Sequence, residues 1–329
     1  MQRYHKLAEP VTLLALLFGL MGCQMGPTVS GSFDRTLDVS GPIHVELGTV
    51  SGRVDIAGSP DSKIHVHGDV RVSGIGIGNS QKRLDDIIAN PPVELRGDTL
   101  RVGKEMTRMH NVSISYTLEV PKEAAVNAAS VSGSVSIRGV RGPVQAESVS
   151  GSVRAEDIAQ DVKVSSVSGS VEVQNCGDDV RATSVSGSVT VTNAKGDVLA
   201  HSVSGDVRAN NPGGRVDANT SSGSVTVRAA NGDIKGHSTA GSLRVLGNPS
   251  GNSYWDLKTS SGSVELAVPS DAKFHFSANA VSGQISAQIP ILIEEQGKHS
   301  LRAHVGDGGG RVEVHTVSGS IEVQGAQAQ

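Results

Sequence analysis

The central part of the chain repeats one short pattern of apolar and polar positions. Aligned on a glycine, it reads Gly, Ser or Asp, Val, any residue, Val or Ala, any residue, then a small polar residue. The third and fifth places hold Val135/Ile137, Val144/Ala146, Val153/Ala155, Val162/Val164, Val171/Val173, Val180/Ala182, Val189/Val191, Val198/Ala200 and Val207/Ala209. Between them stand Ser136, Gln145, Arg154, Lys163, Glu172, Arg181, Thr190 and Arg208, with Leu199 the exception. Alternation of this kind, rich in β-branched residues and bounded by turn residues, predicts short strands buried on one face.

The repeat is strict in its spacing. Gly133, Gly151, Gly169, Gly187, Gly205, Gly223 and Gly241 follow one another at intervals of 18 residues, most of them within Ser-Val-Ser-Gly. Gly142, Gly196, Gly214 and Gly232 fall midway, with Gln160 and Asp178 in the same slot. Each 18-residue turn is therefore two nine-residue half-coils, each a strand of about five residues and a turn of about four. This predicts an all-β, parallel β-solenoid (β-helix or β-roll-like) with two strands per coil and successive coils about 4.8 Å apart. Glycine is expected at the turns for its conformational freedom. Ser148, Ser166, Asn175, Ser184, Asn193 and Ser202, at the seventh place, are expected to stack as hydrogen-bonding ladders at the corners. No coil buries its apolar face alone, so stability comes from stacking.

The frame continues outside the strict block. Counting from Gly262, Gly283 and Gly319, the same places hold Trp255/Leu257, Phe276/Ala278 and Val312/Val314 on one side. On the other they hold Val264/Leu266, Ile285/Ala287 and Ile321/Val323, and Gly52 leads Val54 and Ile56. Spacings there slip to 21 and 36 residues, so loops are inserted while the coil persists, for a total length of about 60–80 Å. Residues 80–89 carry apolar positions at helical spacing and stop before Asn90-Pro91-Pro92, which predicts one short inserted helix that could cover an end of the solenoid.

The ends and composition place the chain. Arg3, His5 and Lys6 precede an apolar run, 11–20, too short to cross a bilayer, which reads as a signal peptide. It runs into Leu20-Met21-Gly22-Cys23, which resembles the bacterial lipobox and makes Cys23 the lipid attachment site. Gln24 follows in place of Asp, which by resemblance to Gram-negative lipoproteins implies the outer membrane rather than the inner one. The expected organisation is signal peptide 1–22, tether 23–34, irregular N-terminal β region 35–125, and regular solenoid 126–329. Cys176 is then the only other cysteine, so the mature chain has no intramolecular disulfide. With 40 glycines but only 4 Phe, 3 Tyr and 1 Trp, the core must be thin and layered. The net charge of −4, with no basic stripe, argues against nucleic acid as a partner.

The Ser-Val-Ser-Gly-Ser-Val units resemble the DUF4097 family of bacterial β-strand-repeat proteins, which carry an adhesin label. Two further stretches, Tyr116-Thr117-Leu118-Glu119-Val120-Pro121 and Val264-Glu265-Leu266-Ala267-Val268-Pro269, are similar to that family's strand ending in Val-Pro. Residues 306–314, leading into Thr316-Val317-Ser318-Gly319-Ser320-Ile321, are similar to its C-terminal ending. The resemblance covers about 35–329. It implies a β-solenoid and an adhesin-like role, and it carries over no catalytic residue.

Candidate chemistry is sparse. Calcium β-rolls need Gly-Gly-x-Gly-x-Asp in every turn, and these turns read Val-Ser-Gly-Ser. His65 and His67 share a strand face without an evident third ligand, and His201 and His237 read as surface residues. No Gly-x-Ser-x-Gly elbow occurs, and the glycine-rich 306–310 lacks the Lys-Ser/Thr of a phosphate loop. The frame points Trp255 inward, away from a sugar-stacking role, and makes Cys176 a buried apolar residue at the place held by Val149 and Val167. No catalytic, cofactor-binding or metal-ligating residue is expected. The leading reading is a non-catalytic, lipid-anchored envelope protein, an adhesin-like binding or scaffold module, periplasmic or surface-exposed. Its partners would be the membrane, through the lipid, and a surface polymer or envelope protein. The alternative is an envelope-stress or sensory accessory that binds a membrane partner. The least supported is a β-helix enzyme acting on polysaccharide.

Overall fold

The computed structural model describes residues 28–74, 77–103, 111–249 and 251–326. The signal peptide 1–22, Cys23 and the first residues of the expected tether lie outside them. The described residues form 29 β-strands and one α-helix, arranged as a 14-stranded and a 15-stranded sheet. At about 4.8 Å per strand the two sheets run for about 62 and 67 Å.

In the regular block each coil supplies one strand to each sheet. Val144–Ser148, Val162–Ser166, Val180–Ser184 and Val198–Ser202 stack in parallel on one side, in register Val144↔Val162↔Val180↔Val198. Val153–Ile158, Val171–Cys176 and Val189–Ala194 do the same on the other, in register Val153↔Val171↔Val189. The third and fifth places of both are buried, so columns of Val and Ala face each other across a thin core. Parallel strands need crossover connections, and here the turn into the opposite sheet serves as that connection.

The two corners of each coil differ, which the nine-residue frame does not reveal. At the Ser-Val-Ser-Gly corner the seventh-place serine is buried and the eighth-place valine points out; Val149 and Val167 are 45% and 44% exposed. At the opposite corner Asp157, Asn175, Asn193, Asn211 and Ala229 take left-handed backbone, with φ of 51–56°. That inversion turns the eighth residue inward, and Ile158, Cys176, Ala194 and Ala230 are buried. The expected single kind of corner ladder thus splits in two. Serine hydroxyls do not bond each other. Ser166 Oγ donates to Gly151 O at 2.9 Å and accepts from Gly169 N at 2.9 Å, and Ser148, Ser184 and Ser202 repeat this. The asparagines instead form an exposed amide ladder.

In the regular block the corner glycines are required by close approach rather than by their turn conformation. A Cβ at Gly169 would lie 2.1 Å from Gly151 O, and one at Gly187 would lie 2.1 Å from Gly169 O. The same contact orders the coils in space as Gly52, Gly133, the five strict repeats to Gly223, then Gly241, Gly262, Gly319 and Gly283. Space therefore departs from sequence at both ends. Val54–Ser59 stacks directly on Val135–Arg138, and Gly310–Ser318 lies between Tyr254–Ser261 and Phe274–Ser282. The chain between the displaced coils forms the caps.

At the N-terminal end Lys63–Val72 pairs antiparallel with both Val29–Asp38 and Val112–Pro121. Helix Ile77–Ala89 packs on Val29–Asp38 and Lys63–Val72, the end of the sheet expected to need cover, with Leu84 and Ile87 buried. It begins three residues before the expected 80. Gly31 makes room for Ile88, whose Cδ1 is 2.7 Å from where a Cβ would stand. The strand starting at Val29 also shortens the expected tether 23–34. Phe33 is buried with its ring edge-on to Tyr116 at 6.4 Å, which commits residues 29–34 to the folded body.

Candidate functional site

The left-handed corner carries an open groove of about 680 Å³. Its floor is Ile158, Cys176 and Ala194, with Gly177 and Gly213, and its wall is the column Asp157, Asn175, Asn193 and Asn211. Asn forms this column because its short amide tolerates φ > 0 better than other side chains. Asn175 Nδ2 donates to Asp157 Oδ1 at 2.8 Å, Asn193 Nδ2 to Asn175 Oδ1 at 2.9 Å, and Asn211 Nδ2 to Asn193 Oδ1 at 2.9 Å. An amide has two N–H donors and two acceptor lone pairs. Each rung therefore keeps one N–H and one lone pair for solvent or a ligand, repeated every coil. Lys195 adds a cation to the same groove.

The opposite corner presents an apolar ridge. Val131, Val149, Val167, Val185 and Val203 are 38–45% exposed and stand one coil apart, each preceded by a buried serine and followed by an exposed one. The flat faces carry charges paired between or along coils, such as Arg154 with Glu172 at 3.1 Å and Lys258 with Asp256 at 2.8 Å. Pairs this exposed contribute little stability.

The residues singled out in the sequence fall as follows. Cys176 is buried, its Sγ is 3.3 Å from Gln160 O, and burial pushes the thiol pKa up, so it is not a ready nucleophile. Trp255 is fully buried and its indole N–H donates to Gly232 O at 2.9 Å. Tyr254 beside it is 40% exposed, and its hydroxyl donates to Glu313 at 2.8 Å, which raises its pKa to about 12. His65 and His67 do share a face. His65 Nδ1 is 3.1 Å from Thr36 Oγ1, and His67 Nδ1 is 2.8 Å from Asp34, which raises the His67 pKa. His201 and His237 line a shallow depression with Asn219 and Lys258.

Two clusters of potential metal ligands escape the sequence reading. Asp161, Asp178 and Asp179 meet on the surface. Within this cluster Asp179 Oδ1 accepts from Asp197 N at 2.7 Å and so ties two coils together, as Asp197 Oδ1 does by accepting from Arg215 N at 2.8 Å. The second cluster is His275, Glu294 and His304 at the C-terminal end. Its members lie on three strands 19 and 10 residues apart, and only the register of an irregular hairpin unites them. No local motif could have signalled it.

A family model described as Toastrack DUF4097 matches residues 106–252 and 232–324. This chain belongs to the Toastrack DUF4097 family. The match spans the whole regular block and the C-terminal coils of this Toastrack chain. Among solved structures it is similar to an adhesin candidate from Bacteroides fragilis, at 16% identity and TM-score 0.37, over 89% of this chain and 97% of that one. It is also similar to a candidate cell-adhesion protein from Clostridium sporogenes, at 9% identity and TM-score 0.23, over 91% of this chain and all of that one. No curated protein matches it. No helix among the described residues is long and apolar enough to cross a membrane.

Proposed function

We propose that this Toastrack protein is a non-catalytic module of the bacterial cell envelope, anchored by a lipid on Cys23, that binds a repetitive polar polymer along its amide-lined corner. The observation that carries the reading is the ladder of Asn175, Asn193 and Asn211, whose unspent donors and acceptors recur at one-coil spacing. An extended polymer with a short polar repeat can engage several rungs at once, so weak contacts add through multivalency. The non-catalytic part rests on how the polar repeats are used. The seventh-place serines, with Asp179 and Asp197, are spent on backbone groups within and between coils, which gives them stacking roles.

The test has two arms. Wild type and Cys23→Ala are fractionated from expressing cells, and intact cells are treated with protease. Membrane association lost in Cys23→Ala supports the anchor, and shaving by protease supports a surface location. Binding is then measured by co-sedimentation with purified envelope polysaccharide and with cell-wall sacculi. The triple variant Asn175→Gly/Asn193→Gly/Asn211→Gly keeps the left-handed backbone while removing the amides. At about 1 kcal/mol per lost hydrogen bond it should bind at least ~10-fold more weakly. Equal binding by the variant refutes the amide-lined site.

A second reading, an envelope-stress or sensory accessory binding a membrane protein, draws on the valine ridge at the other corner. A line of apolar side chains suits a protein groove better than a polar polymer. Loss of a co-purifying membrane protein in Val149→Ser/Val167→Ser/Val185→Ser, with polymer binding absent in wild type, would favour it.

A further inference from the structure

We propose that His275, Glu294 and His304 form a binding site for a divalent transition-metal ion, with Zn²⁺ the best-fitting member. Phe274–Ser282 and Ser300–Val305 pair antiparallel with His275 directly opposite His304. Their neighbours Phe274, Phe276, Ala303 and Val305 are buried, which fixes the two strands from the core side and turns both imidazoles outward. The rings stand edge-on at 6.1 Å.

Glu294 reaches the same spot from a third strand, Leu292–Gln296. Its ladder with Ser300–Val305 pairs Ile293 with Ala303 and then Glu295 with Arg302, skipping Glu294. Such bulges re-aim a side chain. Here the skipped carboxylate comes within 3.0 Å of His304 Nδ1, while Glu295 takes up Arg302 at 3.0 Å. One ligand atom from each of His275, Glu294 and His304 lies within 4.8 Å of the others. The glycine-rich 306–310 borders the site as well. A Cβ at Gly308 would come within 2.8 Å of His275 Nε2, so a side chain there would displace the ring.

Two imidazoles and one carboxylate are a borderline-soft set that suits Zn²⁺ and its neighbours rather than Ca²⁺ or Mg²⁺. With bonds of about 2.0–2.2 Å, tetrahedral ligand atoms stand about 3.4 Å apart. The exposed side chains must therefore draw in by about 1 Å, within ordinary rotamer freedom. Coordination positions would remain open on the solvent side. A bound ion would tie the hairpin to the end coil. A simple His304–Glu294 surface pair accounts for only two of the three groups and gives His275 no part.

The full chain is titrated with Zn²⁺ by calorimetry and with Co²⁺ by visible absorption, alongside His275→Ala, Glu294→Gln and His304→Ala. All three changes lie on a solvent-facing surface, and circular dichroism checks that each variant folds. The expected result is one saturable ion per chain, weakened at least ~10-fold in every variant. Zn²⁺ should also raise the thermal midpoint of wild type but not of the variants. His299→Ala and His65→Ala/His67→Ala should bind as wild type does. No saturable binding at millimolar Zn²⁺, binding unchanged in the three variants, or binding that ignores His275 would each overturn the site.

Discussion

Substituting Gly169 by alanine tests whether close coil approach, rather than turn conformation, sets the 18-residue period. The added Cβ would stand 2.1 Å from Gly151 O, 2.4 Å from Gly151 C and 2.7 Å from Ser152 N. All three are backbone atoms of the neighbouring coil, so no side chain can swing away. The coils must part by about 1 Å to reach ordinary contact. Overpacking of this kind costs about 1–3 kcal/mol. Parting the coils also loosens the two hydrogen bonds of Ser166 Oγ, to Gly151 O and from Gly169 N, at about 1 kcal/mol each. The alanine recovers about 0.4–1 kcal/mol through the unfolded chain. The net expectation is a loss of about 2–4 kcal/mol.

Gly232→Ala is the control, because its Cβ would meet Gly214 O at 2.9 Å and the next atom only at 3.3 Å. It should stay within about 1 kcal/mol of wild type. Equilibrium urea unfolding followed by far-ultraviolet circular dichroism measures both. In a stack of coupled repeats a broken central interface can also split the transition, visible as a lowered m-value. Ser166→Ala acts on the same contact, so its combination with Gly169→Ala should cost less than the sum of the two. If Gly169→Ala proves no worse than Gly232→Ala, close approach is not what the period encodes.

Two further outcomes follow from the corners and the cap. Ala229 holds φ 55° at the place where the preceding coils have Asp or Asn. Ala229→Asn should therefore stabilise by about 1 kcal/mol, read as a higher urea midpoint, and an unchanged or lower midpoint would refute strain at that residue. The Asp34 hydrogen bond raises the His67 pKa above its ordinary 6.5, so the stability the pair supplies is full below pH 6.5 and fades as pH rises through the folded value. The His67 ring titration followed by NMR should move down in Asp34→Asn, and an unmoved midpoint would remove Asp34 as the cause.

Much of this architecture could be read from residues, because a solenoid writes each contact many times. Val144, Val162, Val180 and Val198 are successive letters of one column, so period two gave the buried face and period 18 gave the neighbour. What period cannot give is a local reversal of backbone hand. Asn175 and Ser166 occupy the same seventh place, yet φ 55° at Asn175 exchanges inside and outside for the residue that follows. Val167 is exposed and Cys176 buried for that reason alone. The Asp and Asn in alternate half-coils were the available signal, since these residues favour left-handed backbone.

The ends were illegible for a different reason. A column position in the middle is held by a coil above and a coil below, and its polar atoms are used in that stacking. The displaced coils at each end release the intervening chain from the period, as Gly310–Ser318 does by slotting between Tyr254–Ser261 and Phe274–Ser282. Residues 288–309 then answer only to the need to cover an open sheet end, which the hairpin Leu292–Gln296 and Ser300–Val305 meets. Its freedom from the repeat is what lets His275, Glu294 and His304 converge, groups that no regular coil places together. In the middle, by contrast, any recognition must be spread along identical rungs such as Asn175 and Asn193. Recognition by the regular block is therefore expected to grow with the number of rungs engaged, whereas the proposed metal site depends on a single bulge at Glu294. Deleting one 18-residue turn, residues 178–195, separates the two: it removes a rung and should weaken polymer binding while leaving Zn²⁺ affinity at the distant end unchanged.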